Sequence, residues 1–206
     1  MKSIRIYSVL FFVACLAQAS FGQNISGSAH DFSDDNWNNS GEICIVCHTP
    51  HNANMAVAEA PLWNHQVTTA TFQVYSSPTF TATAGQPGAS SKLCLSCHDG
   101  TVAVENYGNI TNGNDILSGG SLIGTDLRND HPISITYNTA LATTDGGLHD
   151  PSTANSGLGS TITADLLFAG KMECASCHDV HNGAGFDNLL RKSNAASALC
   201  LTCHDK

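Results

Sequence analysis

Positive charge is scarce in this 206-residue chain, with eight Lys and Arg against seventeen Asp and Glu. A chain this acidic offers no basic face to a phosphate backbone, which argues against nucleic acid as a partner. Aromatic residues make up only 7% of the chain and charged residues 12%, whereas Ser, Thr, Asn and Gly abound. That composition suits loops draped round other groups better than regular packed layers. Beyond the N-terminus no apolar run approaches the roughly 20 residues that span a bilayer, so no transmembrane segment is expected. Methionine is nearly missing: Met55 and Met172 are the only ones after Met1. Cysteine and histidine, nine and ten residues, are in excess.

Residues 1–22 read as a signal peptide. Lys2 and Arg5 supply the charged start, Val9 to Ala17 the apolar stretch, and Ala17-Gln18-Ala19 a small-x-small cleavage site. Export is the expectation, to the cell surface or beyond it, with the periplasm as the alternative. Phe12-Val13-Ala14-Cys15 also has a faint likeness to a lipoprotein processing site. Removing the leader leaves six basic residues against seventeen acidic ones, a net charge near −11. Such a surface favours basic redox partners or cationic acceptors.

The eight remaining cysteines fall into four copies of CxxCH: Cys44, Cys47 and His48; Cys94, Cys97 and His98; Cys174, Cys177 and His178; Cys200, Cys203 and His204. This spacing is the attachment signature of c-type haem, in which two thiols add across the porphyrin vinyl groups and the histidine becomes the proximal ligand. Zinc ribbons also use CxxC pairs, but they do not require histidine after every second cysteine. Four covalent haems are therefore expected, and no thiol is left for a disulfide. About 184 mature residues for four cofactors is roughly 46 each, too few to enclose each haem in its own apolar domain, so the porphyrins must form much of the core.

The motifs alternate. Cys44 to Asn52 matches Cys174 to Asn182, and Leu93 to Asp99 matches Leu199 to Asp205, giving the order A, B, A, B. This reads as a two-haem unit used twice, at about 30–108 and 124–206, within a single tetrahaem domain over 23–206. The expected fold is mostly irregular coil with short helices and a few short strands, organised around four covalently attached haems. Thr71 to Tyr75 and Ile133 to Tyr137 alternate as strands do, whereas Asn109 to Gly120 and Thr143 to Gly159 are turn-rich. About one helical turn is expected at each CxxCH, with Ala195 to Leu201 the best helix former. Asp31 to Asn39 reads as a solvated turn rather than a calcium loop.

After four proximal histidines, six remain for the distal positions: His30, His51, His65, His131, His149 and His181. With two methionines at most, bis-histidine ligation is the stronger reading, and it implies low reduction potentials. His51 and His181 each follow a proximal histidine by three residues. That spacing is too short to reach the far face of the same porphyrin, so each serves a different haem or none. His131 has an extended exit imposed by Pro132. His204 lies two residues from the chain end, so the fourth haem needs a distal ligand from upstream or from another molecule. His30, at the opposite end, is available to supply it across a subunit contact.

Ala29 to Ser33, CxxCHTPHN, Ala60 to Asn64, Leu93 to Thr101, Gly124 to Ser134 and CxxCHDVHN together resemble the doubled-CxxCH multihaem cytochromes. Among these the chain is similar to the tetrahaem subunits that polymerise into extracellular cytochrome filaments in metal-reducing bacteria. The resemblance implies a continuous line of haems, head-to-tail self-association, extracellular metals or other redox proteins as partners, and His30, His51, His131 and His181 as distal ligands. The expected function is electron transfer rather than catalysis. A periplasmic electron shuttle is the alternative, and a haem reductase would need an open iron, of which six spare histidines give no sign.

Overall fold

A computed structural model of the chain describes residues 24–57, 60 and 62–205. The leader and Cys15 lie outside the described residues. The chain is mostly coil. Its helices are α1 (Ala89–His98), α2 (Thr139–Asp145), α3 (Ile162–Leu166), α4 (Cys174–Cys177) and α5 (Cys200–Cys203). Two short strands, β1 (Ile135–Thr136) and β2 (Lys171–Met172), pair antiparallel with Ile135 opposite Met172. Three further single turns of 3-10 helix occupy Gly119–Ser121, Asp187–Leu189 and Ala195–Ser197.

Local chemistry explains where these elements stop. Ser134 adopts the left-handed conformation (φ 56°), so the expected strand over Ile133 to Tyr137 shrinks to two residues. In Thr71 to Tyr75 only a single bridge forms, between Gln73 and Asp126, because the Gln86 side chain takes the backbone groups of Phe72 on both sides. The Ala195 to Leu201 helix is likewise interrupted. Ala196 and Ser197 take positive φ, and regular helix resumes only at Cys200. Helix α2 was not evident in the sequence: Asn138 caps it by accepting the Leu141 N–H at 2.9 Å, and Gly146 ends it at φ 70°.

The apolar core is small and divided. One cluster joins Ile135, Tyr137, Ala142, Ile162, Leu166, Met172 and Cys203, and the other joins Phe72, Leu95 and Leu127. Between α1 and α4 the contact is polar. The carboxylate of Glu173, which is 1% exposed, accepts hydrogen bonds from Ser91 and, at 2.9 Å, from Ser134. Ser91 in turn accepts the Cys174 N–H at 2.9 Å, and Ser176 accepts the Glu173 N–H to complete a capping box. One buried side chain thus fixes the second motif, at the end of α1, against the third, in α4. Glu173→Ala would leave these donors buried without an acceptor. It is expected to cost about 2–4 kcal/mol in chemical denaturation of the haem-loaded protein, more than any single surface substitution.

Candidate haem centres

Each CxxCH is built on one helical turn. In the first motif the His48 N–H donates to the Cys44 carbonyl at 2.8 Å, and the same bond recurs at His178 and His204. The second motif differs, lying at the C-terminal end of the ten-residue α1. The turn sets the two sulfurs on one side and leads straight to the imidazole. Burial pushes the thiols up: Cys47 and Cys203 to about 11 and Cys97 to about 12. These sulfurs sit poorly as thiolates, the form a metal would need, but a thioether carries no charge to desolvate.

The motif histidines are oriented by backbone carbonyls. His98 Nδ1 lies 2.7 Å from the Ser121 carbonyl and His178 Nδ1 lies 2.9 Å from that of Asn188. The Nδ1–H donates there and Nε2 is left as the ligand. Both carbonyls come from 3-10 turns, which gives these irregular segments a purpose that residue patterns did not suggest.

Three of the distal candidates face motif histidines. His48 and His181 have ring centres 6.1 Å apart, His30 and His98 6.1 Å, and His131 and His204 6.3 Å. Each pair joins one motif histidine to one from outside the motifs. Two imidazoles bound to opposite sides of one metal ion have centres about 6 Å apart, since the metal–nitrogen bond is about 2 Å and a ring nitrogen lies about 1 Å from its ring centre. The donor set therefore fits haem c at the first, second and fourth motifs. His30 is positioned by aromatic packing that runs from Tyr107 through Trp37 to Phe32. Burial, then repulsion from His98, His178 and His181, lowers it to about 4, which keeps it neutral and able to bind a metal at physiological pH.

Within one chain the partners are as follows. His30 stands beside the second motif rather than the fourth, and it is His131 that faces His204. His181 lies against His48 of a different motif, as the three-residue spacing requires. His51 and His178 are both exposed, and among the described residues neither ring meets an imidazole partner at such a distance. His65 is 1% exposed, its ring lying between the carbonyls of Gln66 (2.8 Å) and Ala103 (3.1 Å). His149 is tied by its backbone to Cys203 and Tyr137. His65→Ala is expected to lower stability by about 1–3 kcal/mol while the visible spectrum stays wholly low-spin, because the residue is a packed hydrogen-bonding group.

Cysteines of different motifs lie near one another. Cys47 is close enough to Cys97 to raise it after burial, and the Cys174 thiol, then burial, raises Cys94. Cys200 adds to the burial that raises Cys177, and Cys177 does the same for Cys203. His181, just past the third motif, also meets His48 of the first. Among the described residues no group of three or more His, Cys, Asp or Glu is gathered as a metal cluster. Asp31 serves its own loop, accepting from Gly27 and Ser33. No helix among the described residues is long and apolar enough to cross a membrane.

Residues 168–206 match the family model of the doubled CXXCH motif. That match supports a multihaem c-type cytochrome. It covers the third and fourth motifs and indicates covalently bound haem c in an electron-transfer protein. No curated protein matches the chain. Reading by residue type missed two features of the site. The buried carboxylate of Asp99 accepts from Thr68 at 2.5 Å and Thr101 at 2.8 Å beside His98. Arg191 and Lys192 form the other. They are the only adjacent cations in the chain, and that adjacency was the available signal.

Proposed function

We propose that the chain is a tetrahaem c-type cytochrome, exported and assembled head to tail into a filament that carries electrons over long distances outside the cell. The observation that carries this reading is geometric: three motif histidines each face an imidazole from outside the motifs with ring centres 6.1–6.3 Å apart, the donor set of a six-coordinate, electron-transferring haem. Haem c, when bound, supplies an iron that takes up and releases single electrons. The chain's own part is to hold each iron between two imidazoles, so that it neither binds substrate nor rearranges as charge passes. Cys44 and Cys47, Cys94 and Cys97, Cys174 and Cys177, and Cys200 and Cys203 would anchor the four groups. His48 with His181, His98 with His30, and His204 with His131 would ligate three of them.

The fourth ligand pair supports self-association. Among the described residues no imidazole ring faces His178 at such a distance, and His51 is exposed and lines an open cleft of about 520 Å³ together with amides such as Asn54, Gln66 and Asn106. His51 occupies in the first unit the place His181 holds in the second. Since His181 reaches across to another motif, His51 is the residue to reach across as well, in this case to His178 of the next copy. A head-to-tail contact of this kind that does not close into a ring repeats without limit and makes a fibre. The test is a pyridine haemochrome assay with size analysis of the native protein. Four haems per chain in long assemblies are expected, whereas fewer haems would defeat the tetrahaem reading and discrete monomers would favour the periplasmic shuttle.

A further inference from the structure

Lys192 has a built seat beside the fourth motif. Its Nζ donates to the Ser156 carbonyl at 2.9 Å and to Thr202 Oγ1 at 2.8 Å, and Thr202 is a buried residue inside the motif itself. Gly157 makes the seat possible, because a Cβ there would lie 2.7 Å from that nitrogen. Arg191 lies next to the third motif, donating from Nη1 to the Ala175 carbonyl at 3.2 Å and from its backbone to Cys177 at 2.9 Å, with its Nε buried and unpartnered. Both side chains are half-buried, and among the described residues neither forms an ion pair.

The second motif has the opposite surroundings. There the buried carboxylate of Asp99 directly follows His98, and among the described residues Lys92 on the same helix forms no ion pair. Glu173 lies between the second and third motifs. Near the fourth motif, Asp205 is exposed and Asp165 is engaged by Ser156 and Ser160. Asp145 and Asp150 act on Tyr137, whose hydroxyl donates to the Cys203 carbonyl, but each is held by hydrogen bonds of its own, Asp145 from Gly147 and Thr81 and Asp150 from Ser152 and Thr139. The charge seated on the fourth motif itself is therefore the Lys192 ammonium, whereas at the second motif it is the Asp99 carboxylate.

We infer that Lys192, supported by Arg191, makes the Cys200–His204 site the high-potential end of the file, so that electrons run downhill from the N-terminal unit to the C-terminal one. This rests on the reading that all four motifs carry haem. A partly buried ammonium is weakly screened and favours whichever state of its neighbour holds one more electron, and a buried carboxylate does the reverse. Lys192 is a positioning residue in this role and touches no reacting atom.

The test is an equilibrium redox titration of the haem-loaded protein, with the sites assigned by NMR and visible spectra. In the wild type the Cys200–His204 site should be reduced first. Lys192→Gln should move that step to lower potential and leave the lowest step in place, and Lys192→Arg should restore it. Gly157→Ala, which displaces the ammonium without changing any charge, should shift the same step in the same direction. A first-reduced site elsewhere in the wild type would overturn the inference even if every variant failed to fold, as would an unmoved step in Lys192→Gln. Haem content is measured alongside. Fewer than four haems in the wild type would sink the tetrahaem reading, whereas four haems with no gradient would sink only this inference.

Discussion

His51→Ala is expected to reduce the assembly to single chains and to leave one iron per chain high-spin. The affected iron should be the one served by His178, not the one attached next to His51 at Cys44 and Cys47. The three other imidazole pairs are within one chain at 6.1–6.3 Å and do not involve His51, so they should stay low-spin. The effect on assembly should be large because a metal–histidine bond across the contact is lost together with the register it sets, and each copy depends on the same bond. Carbon monoxide should bind the variant at one site per chain and the intact filament at none. His149→Ala is the control: full assembly and four low-spin irons are expected. If His51→Ala still forms filaments and His149→Ala opens an iron, the third site is completed within the chain.

The haem-free polypeptide is expected not to fold. Its two apolar clusters hold seven and three buried residues and do not merge. Ordering a residue costs about 1–2 kcal/mol of backbone entropy alone, far more in total than two such clusters return by burial. Among the described residues the regular hydrogen bonding is equally thin, with one two-residue strand pair and a longest helix of ten residues. Chain expressed without haem attachment should show a coil-like far-UV spectrum, collapsed amide dispersion in NMR and no cooperative thermal transition. Loaded protein should melt cooperatively. A cooperative transition in the haem-free chain would mean that the polypeptide core is sufficient, and the cofactors would then be guests in a preformed fold.

The CxxCH motifs were legible because thioether chemistry imposes a strict local spacing, and the coil-rich fold was legible in a composition poor in aromatic residues and rich in Ser, Thr, Asn and Gly. Partnership between histidines was less legible. It depends on long-range packing: His30 reaches His98 only because Phe32, Trp37 and Tyr107 hold its loop there, and nothing in the spacing of those residues announces a stack. The same limit applies to the strands. Ile133 to Tyr137 alternates as a strand should, yet Ser134 leaves the extended region so that its hydroxyl can serve the buried Glu173. Helix α2 escaped notice because Gly146, which ends it, falls in the turn-rich stretch Thr143 to Gly159, and Asn138, which caps it, directly follows an expected strand. His65 is one of the spare histidines, but burial keeps its imidazole neutral, with one N–H to donate to the Gln66 carbonyl 2.8 Å from Nδ1 and its Nε2 beside the Cys97 thiol.

The central claim is a single file of four bis-histidine haems, in the order of the motifs, continued from copy to copy through His51. Electron cryo-microscopy of the native assembly at side-chain resolution tests it most directly. The expected map shows four porphyrins per subunit, attached in succession at Cys44, Cys94, Cys174 and Cys200, with His51 of one subunit on the iron held by His178 of the next. A map of closed particles, or of a filament whose haems are out of motif order or whose His178 iron is ligated within its own chain, would contradict it.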